Sequence, residues 1–184
     1  IIDINKTLKR FKGTNLKSNV TFIKGNAVNV KLKRKFELIS VISTLEHIGL
    51  DKPIKNYNKD SGVFDRKKNY KKIRNNNQDI LAIKNLSKYI KKNGKLILTV
   101  PFGSRKILYT KDSYNLYAYY REYDYPRLQK IIKYSKLSLA NVQFYKFTKF
   151  GWSQLKNYKS YKNFNIKPYK SVNSVACLEL IKKN

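Results

Sequence analysis

The only histidine of this 184-residue chain, His47, directly follows an acidic residue, Glu46, just after a long apolar run. An imidazole changes its protonation state near neutral pH, so a histidine beside a cleft can act as a general base. Glu46 could bind a donor group of a substrate. The alternative for both residues is structural, because histidine often packs or caps and a glutamate in a first helical turn favours the helix dipole. The pair marks a candidate catalytic position, with His47 as the base.

Two further stretches carry groups that suit a nucleoside. Asp3 lies at the end of the short apolar run 1–4, and a carboxylate there can accept hydrogen bonds from both hydroxyls of a ribose. Asn26 and Ala27 follow a second apolar run, where an amide oxygen can accept from an adenine amino group and alanine lets the flat ring lie close. The structural alternatives are that Asp3 caps a following helix and that Asn26 is a turn residue after Gly25.

The segments that must position these residues predict an α/β domain with a mostly parallel sheet, because nearly continuous apolar runs are typical of strands covered on both faces. Strands are predicted at 1–4, 20–24, 36–43, 95–100, 142–148 and 174–181, and helices at 6–12, 79–92 and from Asp124 onward. Asn93 and Gly94 would end the second helix through a left-handed cap. We expect one domain over 1–184, in which the polar segment 51–77 is a loop, lid or insertion.

The last two predicted strands have no obvious helix between them. A parallel pair would need a long crossover, usually helical, so we expect these strands to pair antiparallel. The aromatic segment 109–125 could line a substrate pocket or simply pack in the core. Trp152 is expected to be a structural anchor or a pocket wall.

The ordered set of segments resembles the class I S-adenosylmethionine-dependent methyltransferases. Segment 36–48 (FELISVISTLEHI) is similar to the family's fourth strand and following turn, where an acid–histidine pair is frequent, and segment 86–103 to the helix, glycine turn and fifth strand. The other strands match the second, third, sixth and seventh, of which the last two form the family's antiparallel hairpin.

The resemblance implies a Rossmann-like fold, S-adenosylmethionine as cofactor, methyl transfer as the reaction, and no metal. It also assigns the site: cofactor binding to Asp3, Ile4, Asn26, Ala27 and Ser43, substrate binding to Glu46 and Tyr57, and catalysis to His47.

Two features depart from the family pattern. The chain has no Gly-x-Gly sequence and no methionine, and its first strand corresponds to the family's second. We therefore expect a partial domain that lacks the first strand, its helix and the Gly-rich loop, and that is inactive alone. Asn26 stands where many members have aspartate, which keeps an acceptor oxygen but loses the charge.

The acceptor is predicted to be a small molecule or a glycan, methylated on oxygen. The turn after the family's fourth strand lacks the Asn/Asp-Pro-Pro-Tyr tetrapeptide of members that methylate amino groups of bases and glutamine. One rival is an RNA-binding protein or RNA methyltransferase that uses the Lys-rich surface. The other is a nicotinamide-dependent oxidoreductase, which would lack the terminal antiparallel hairpin.

The composition leaves the meaning of the charge open. The net charge is +30, which suits a polyanion, but Lys outnumbers Arg by 34 to 7, whereas phosphate recognition favours the planar fork of arginine. A genome rich in A and T would produce the same lysine excess. No apolar run is long enough to span a bilayer, and the single cysteine, Cys177, excludes a disulfide framework and a cysteine-based zinc site. We expect a cytoplasmic protein.

Overall fold

The computed structural model describes residues 2–3, 21, 23–50, 76–104, 106–111, 117–160 and 172–183. The helix predicted at 6–12, nearly all of the predicted 51–77 loop, and the site residues Ile4 and Tyr57 lie outside the described residues.

A five-stranded mixed sheet forms the centre of the described structure. In spatial order its strands are β3 (Phe36–Ile42), β4 (Ile90–Pro101), β9 (Ser174–Ile181), β7 (Ser138–Thr148) and β8 (Gly151–Gln154). The first two strands are parallel, and β9 pairs antiparallel with both β4 and β7. The predicted α/β fold with a C-terminal antiparallel hairpin is thus confirmed.

Two smaller sheets accompany the central one. The strands β1 (Ile2–Asp3) and β2 (Ile23–Lys24) pair in parallel, so that the carboxyl ends of both strands lie at the same end of this sheet. The strands β5 (Lys106–Lys111) and β6 (Tyr117–Glu122) form an antiparallel hairpin. The sequence pattern does not predict this hairpin, because its many tyrosines do not alternate with polar residues in the manner of a half-buried strand.

The two described α-helices, α1 (Gln78–Leu86) and α2 (Tyr125–Ser135), contribute to the same core as one face of the central sheet. Asp124 caps α2 by accepting a hydrogen bond from the backbone N–H of Arg127, and Pro126 sits in the first turn, as the sequence predicts. Alternate residues of β4 and β9 are almost completely buried on this face: Leu96, Leu98, Val100, Ala176, Leu178 and Leu180.

The predicted helix 79–92 is wrong at its C-terminal end. A 3-10 turn follows α1, and the chain is already a strand at Ile90, which pairs with Phe36. Asn93 does adopt a left-handed conformation (φ 61°), but inside the irregular start of β4 rather than at a helix end. Backbone pairing across Asn93, Gly94 and Lys182 stabilises the extended form over the helix that the local pattern favours.

The antiparallel pairing of the last two predicted strands is confirmed, but the segment between them contains an additional strand. β8 pairs antiparallel with β7 through a tight turn at 149–150, which the sequence did not predict. Among the described residues, no helix is long and apolar enough to cross a membrane.

Candidate active site

The turn that follows β3 lies at the carboxyl edge of the central sheet. Ser43 holds a positive φ of 43°, a conformation that costs energy for a residue with a side chain. Its backbone N–H donates to the Oγ1 atom of Thr99 on the neighbouring strand, at 3.1 Å. Leu45–His47 then form one 3-10 turn. Backbone strain that is retained by a specific hydrogen bond is common at functional sites.

Glu46 and His47 leave this turn in different environments. Only 4% of Glu46 is exposed, and no described residue forms a hydrogen bond with its Oε2 atom. Burial raises the pKa of the Glu46 carboxyl, and the neighbouring His47 acts in the opposite direction. His47 is half-buried, and its backbone N–H donates to the Thr44 carbonyl at 3.2 Å. The turn therefore places the buried carboxyl group of Glu46 beside the more accessible imidazole of His47.

Glu46→Gln should make the folded protein more stable than the wild type, by a margin that grows as the pH rises. The carboxyl has its ordinary pKa of 4.5 in the unfolded chain and a raised pKa in the folded protein. Between these two values the folded state binds the extra proton, so the wild-type protein loses stability as pH increases through that window. We expect the melting temperatures of Glu46→Gln and wild type to coincide near about pH 4 and to separate, with the variant higher, toward about pH 7.

Glu37 offers a control of opposite sign. It is exposed, and its hydrogen bond with Lys91 lowers the pKa of its carboxyl. It therefore contributes stability above its ordinary pKa and loses it as the pH falls. Glu37→Gln should lower the melting temperature slightly at neutral pH and not in acid. If Glu46→Gln follows the pattern of Glu37→Gln, the buried carboxyl is not the cause of the pH dependence.

A buried charged cluster, formed by Asp79, Arg121 and Arg127, lies beneath this turn. Arg127 forms a bidentate ion pair with Asp79, in which Nε donates to Oδ2 at 3.0 Å and Nη2 donates to Oδ1 at 2.6 Å. Arg121 Nη1 lies 3.4 Å from the same carboxylate, and all three side chains are at most 3% exposed. Sequence reasoning missed the cluster. The only available signal was the presence of two of the chain's seven arginines in an otherwise aromatic and apolar region.

The cluster and the neighbouring Tyr123 hold the turn in place through hydrogen bonds to backbone carbonyls in and beside it. Arg121 donates to the Ile48 carbonyl at 3.5 Å, and both arginines donate to the carbonyl of Asn76, at 3.4 and 2.9 Å. The buried Tyr123 hydroxyl donates to the Leu45 carbonyl at 3.3 Å. Burial keeps the pKa of Tyr123 well above its ordinary value, so the hydroxyl retains the proton it donates. Glu46 and His47 are thus fixed by polar contacts at both ends of their turn.

Gly49 closes the same turn against the start of α1. Its φ is +81°, and a Cβ atom there would lie 2.5 Å from the Cβ of Gln78. The amide of Asn76 also donates to the Gly49 carbonyl at 2.7 Å. Only glycine fits this position without moving the turn.

Asn26 and Ala27 form a turn after β2. The Oδ1 atom of Asn26 accepts a hydrogen bond from the backbone N–H of Val28 at 3.0 Å, which is the turn role considered for this residue. The Nδ2 atom of Asn85 on α1 donates to the carbonyls of Ala27 and Val30, at 3.1 and 2.9 Å. The Asn26 side chain is exposed, and its amide oxygen retains a second lone pair. The cofactor role of Asn26 and Ala27 stays a prediction.

The backbone of β1 and β2 places Asp3 opposite Lys24, at the carboxyl ends of two parallel strands. Asp3, the last residue of β1, and the Asn26 turn after β2 therefore lie at the same end of this two-stranded sheet. Ser43 ends a strand of the other sheet, since β1 and β2 are not hydrogen-bonded to β3. Whether Asp3, Asn26 and Ser43 frame one nucleoside stays a prediction, as do the roles of Ile4 and Tyr57, which lie outside the described residues.

Comparison with known proteins gives a consistent fold. No protein-family profile matches the chain, and no curated protein matches it. Among solved structures, a SAM-dependent methyltransferase from Methanosarcina mazei aligns with a TM-score of 0.57 and 11% identity, over 99% of this chain and 80% of that one. An S-adenosylmethionine-dependent methyltransferase from Clostridium acetobutylicum aligns with a TM-score of 0.53 and 11% identity, over 100% and 74%. Together with the β3-β4-β9-β7 arrangement, these likenesses show that this chain has the fold of the class I S-adenosylmethionine-dependent methyltransferases.

Proposed function

We propose that this protein is an S-adenosylmethionine-dependent methyltransferase that methylates an oxygen atom of a small molecule or glycan. The observation that supports this most is the strained turn at the carboxyl edge of β3, where the buried Glu46 and the half-buried His47 stand side by side. In open α/β sheets this edge is where ligands bind. The antiparallel pairing of β7 with β9 also argues against the nicotinamide-dependent rival, which would lack that hairpin.

The residues available for the cofactor fit a nucleoside. Asp3 would accept from the ribose hydroxyls, with Ile4 beside it, while Asn26 and Ala27 would contact the adenine. Ser43 is exposed on its strained turn, where its hydroxyl can reach a ligand. When bound, S-adenosylmethionine supplies a methyl group that is already activated on a sulfonium, so the protein's task is chiefly to align the acceptor.

His47 would take the proton from the acceptor hydroxyl, and Glu46 and Tyr57 would hold the acceptor. A carboxyl with a raised pKa, and with an oxygen to which no described residue hydrogen-bonds, can donate or accept a hydrogen bond without requiring a counter-charge. Such a group suits a neutral, hydroxyl-bearing acceptor better than a cationic amine, which would demand the ionised form. This chemistry favours oxygen as the accepting atom.

Calorimetric titration with S-adenosylhomocysteine tests the cofactor, on the protein expressed from its complete gene. We expect saturable binding that weakens about tenfold or more in Asp3→Ala, because the hydrogen bonds of a charged group are lost. Glu179→Gln is a matched control, since that carboxylate pairs with Lys95 on the central sheet. Absence of binding, or binding of a nicotinamide dinucleotide instead, contradicts the proposal.

Mass spectrometry of the methylated product tests the acceptor. A panel of monosaccharides, oligosaccharides, phenols and alkyl amines would be incubated with S-adenosylmethionine and the protein. We expect methyl ethers of hydroxyl compounds. Methylation confined to the amines would leave the enzyme class intact and contradict the oxygen assignment.

A further inference from the structure

Three large aromatic side chains are exposed together on the β7–β8 hairpin, which we call the aromatic hairpin: Phe147, Phe150 and Trp152. They are 56%, 88% and 51% exposed. Single exposed apolar residues are ordinary, but a group of large rings at one hairpin is typical of a binding surface.

The aromatic hairpin is well ordered by its own contacts. Phe147 and Trp152 are direct cross-strand partners, with ring centroids 5.4 Å apart in an edge-to-face arrangement. Thr148 Oγ1 donates to the Gly151 carbonyl at 2.9 Å and accepts from the Phe150 N–H at 3.2 Å. Gly151 supplies the positive φ of 100° that the turn needs. The Phe147 and Trp152 rings are therefore held against each other without being buried, and the backbone of Phe150 is fixed beside them.

The surroundings of the aromatic hairpin are basic and polar. The Lys149 ammonium lies 4.9 Å from the centre of the Phe150 ring. The two strands of the hairpin and their turn, residues 138–154, carry Lys146 and Lys149 and no aspartate or glutamate. The face that carries Phe147 and Trp152 also carries exposed amides, Gln143 and Gln154. Stacking rings, amides and a positive field are what proteins use to bind unpaired bases.

The other candidate occupants fit less well. A second copy of this chain would bring another net charge of +30 to a hairpin that itself carries two lysines and no acidic residue. Hydrocarbon would not satisfy the amides that flank the rings. From these observations we propose that the aromatic hairpin binds single-stranded nucleic acid by stacking bases on Phe147, Phe150 and Trp152.

The position of the aromatic hairpin adds to the proposal. Strand β7 runs in the same direction as β4, because both pair antiparallel with β9. The hairpin turn therefore projects beyond the same sheet edge as Ser43, three strand spacings or roughly 14 Å across the sheet. The register aligns Ile42 with Gln143, so the turn also lies roughly 18 Å farther along the strand direction than Ser43. Binding at the aromatic hairpin does not depend on the methyl-transfer proposal.

The fluorescence of Trp152 tests this directly, because it is the only tryptophan in the chain. The protein would be excited where tyrosine does not absorb and titrated with oligouridylate of about 12 nucleotides, within the range that such sites cover. We expect quenching, with an affinity that falls steeply between about 50 and 200 mM salt. Inorganic polyphosphate of equal charge should bind without comparable quenching, because it has no bases.

Variants separate stacking from charge. Phe147→Ala and Phe150→Ala keep the tryptophan reporter and should each weaken oligouridylate binding by about 5- to 150-fold, the equivalent of 1–3 kcal/mol per stacked base. Phe150 is so exposed that its removal cannot unfold the protein. The control, Tyr134→Ala, removes an exposed ring from α2 and should leave the affinity unchanged.

Four results would overturn the proposal. Equal quenching by polyphosphate, or unchanged affinity in both phenylalanine variants, would reduce the interaction to non-specific charge. A blue shift with phosphatidylserine vesicles and no response to oligouridylate would identify a membrane surface instead. Quenching that depends on protein concentration alone would identify self-association.

Discussion

Asp79→Leu should lower the free energy of unfolding by about 3–5 kcal/mol, the range observed when one member of a buried ion pair is removed. Asp79 is fully buried, and its carboxylate is the counter-charge for two guanidinium groups that are themselves at most 3% exposed. Without it, Arg121 and Arg127 remain buried with like charges close together. Urea denaturation would give the free energy, and thermal unfolding should show a melting temperature lower by roughly 10 °C.

Two comparisons make the Asp79 result specific. Glu37→Leu removes a carboxylate from an exposed ion pair with Lys91, and its loss should be far smaller, because solvent already screens that pair. The combined replacement of Asp79, Arg121 and Arg127 by apolar residues of similar volume should recover most of the stability lost in Asp79→Leu. A loss for Asp79→Leu no larger than that for Glu37→Leu would mean that the buried charged cluster does not stabilise the fold.

The buried charged cluster also positions the residues around the candidate site. The cluster joins α1, α2 and β6 to Ile48 and Asn76, the residues that flank the candidate site. Apolar packing could hold these elements together, but it would not fix the direction of two backbone carbonyls. We therefore expect the apolar triple variant to keep its fold and to lose affinity for the acceptor.

The sequence predicted the order of elements better than their boundaries. Long apolar runs such as 36–42 and 174–181 were assigned correctly, because burial on one or both faces leaves a strong local pattern. The end of α1 was misplaced, since residues 87–92 continue a helical pattern and only pairing with Phe36 and Lys182 makes them extended. The strand β8 was missed because four residues carry too little pattern to identify a strand.

The candidate site was predictable only in part, and for a related reason. The acid–histidine pair after β3 can be located from the sequence, because a polar turn after a buried strand is a local feature. The burial of Glu46 and the contacts of Asp79 with Arg121 and Arg127 depend on residues more than 40 positions apart. No spacing within the chain indicates such tertiary contacts before the fold is known.

His47→Ala should reduce kcat with a hydroxyl acceptor by about 10²- to 10⁴-fold, the usual contribution of a positioned general base. The affinity for S-adenosylhomocysteine should not change, because the proposed cofactor contacts come from other residues. Glu46→Gln should act differently: it keeps the shape and a hydrogen-bonding side chain, so it should raise KM for the acceptor more than it lowers kcat. Steady-state kinetics with the hydroxyl compound found in the acceptor screen would measure both variants.

The pH dependence separates a base from a merely structural histidine. If His47 takes the proton, kcat of the wild-type protein should rise with pH, and this rise should disappear in His47→Ala, whose residual rate should increase only with hydroxide. His47→Gln provides the conservative comparison, since it retains polar contacts of the turn but cannot accept the proton at neutral pH. Restored turnover in His47→Gln, or an unchanged pH profile in His47→Ala, would place the chemistry elsewhere and leave His47 a positioning residue of the strained turn.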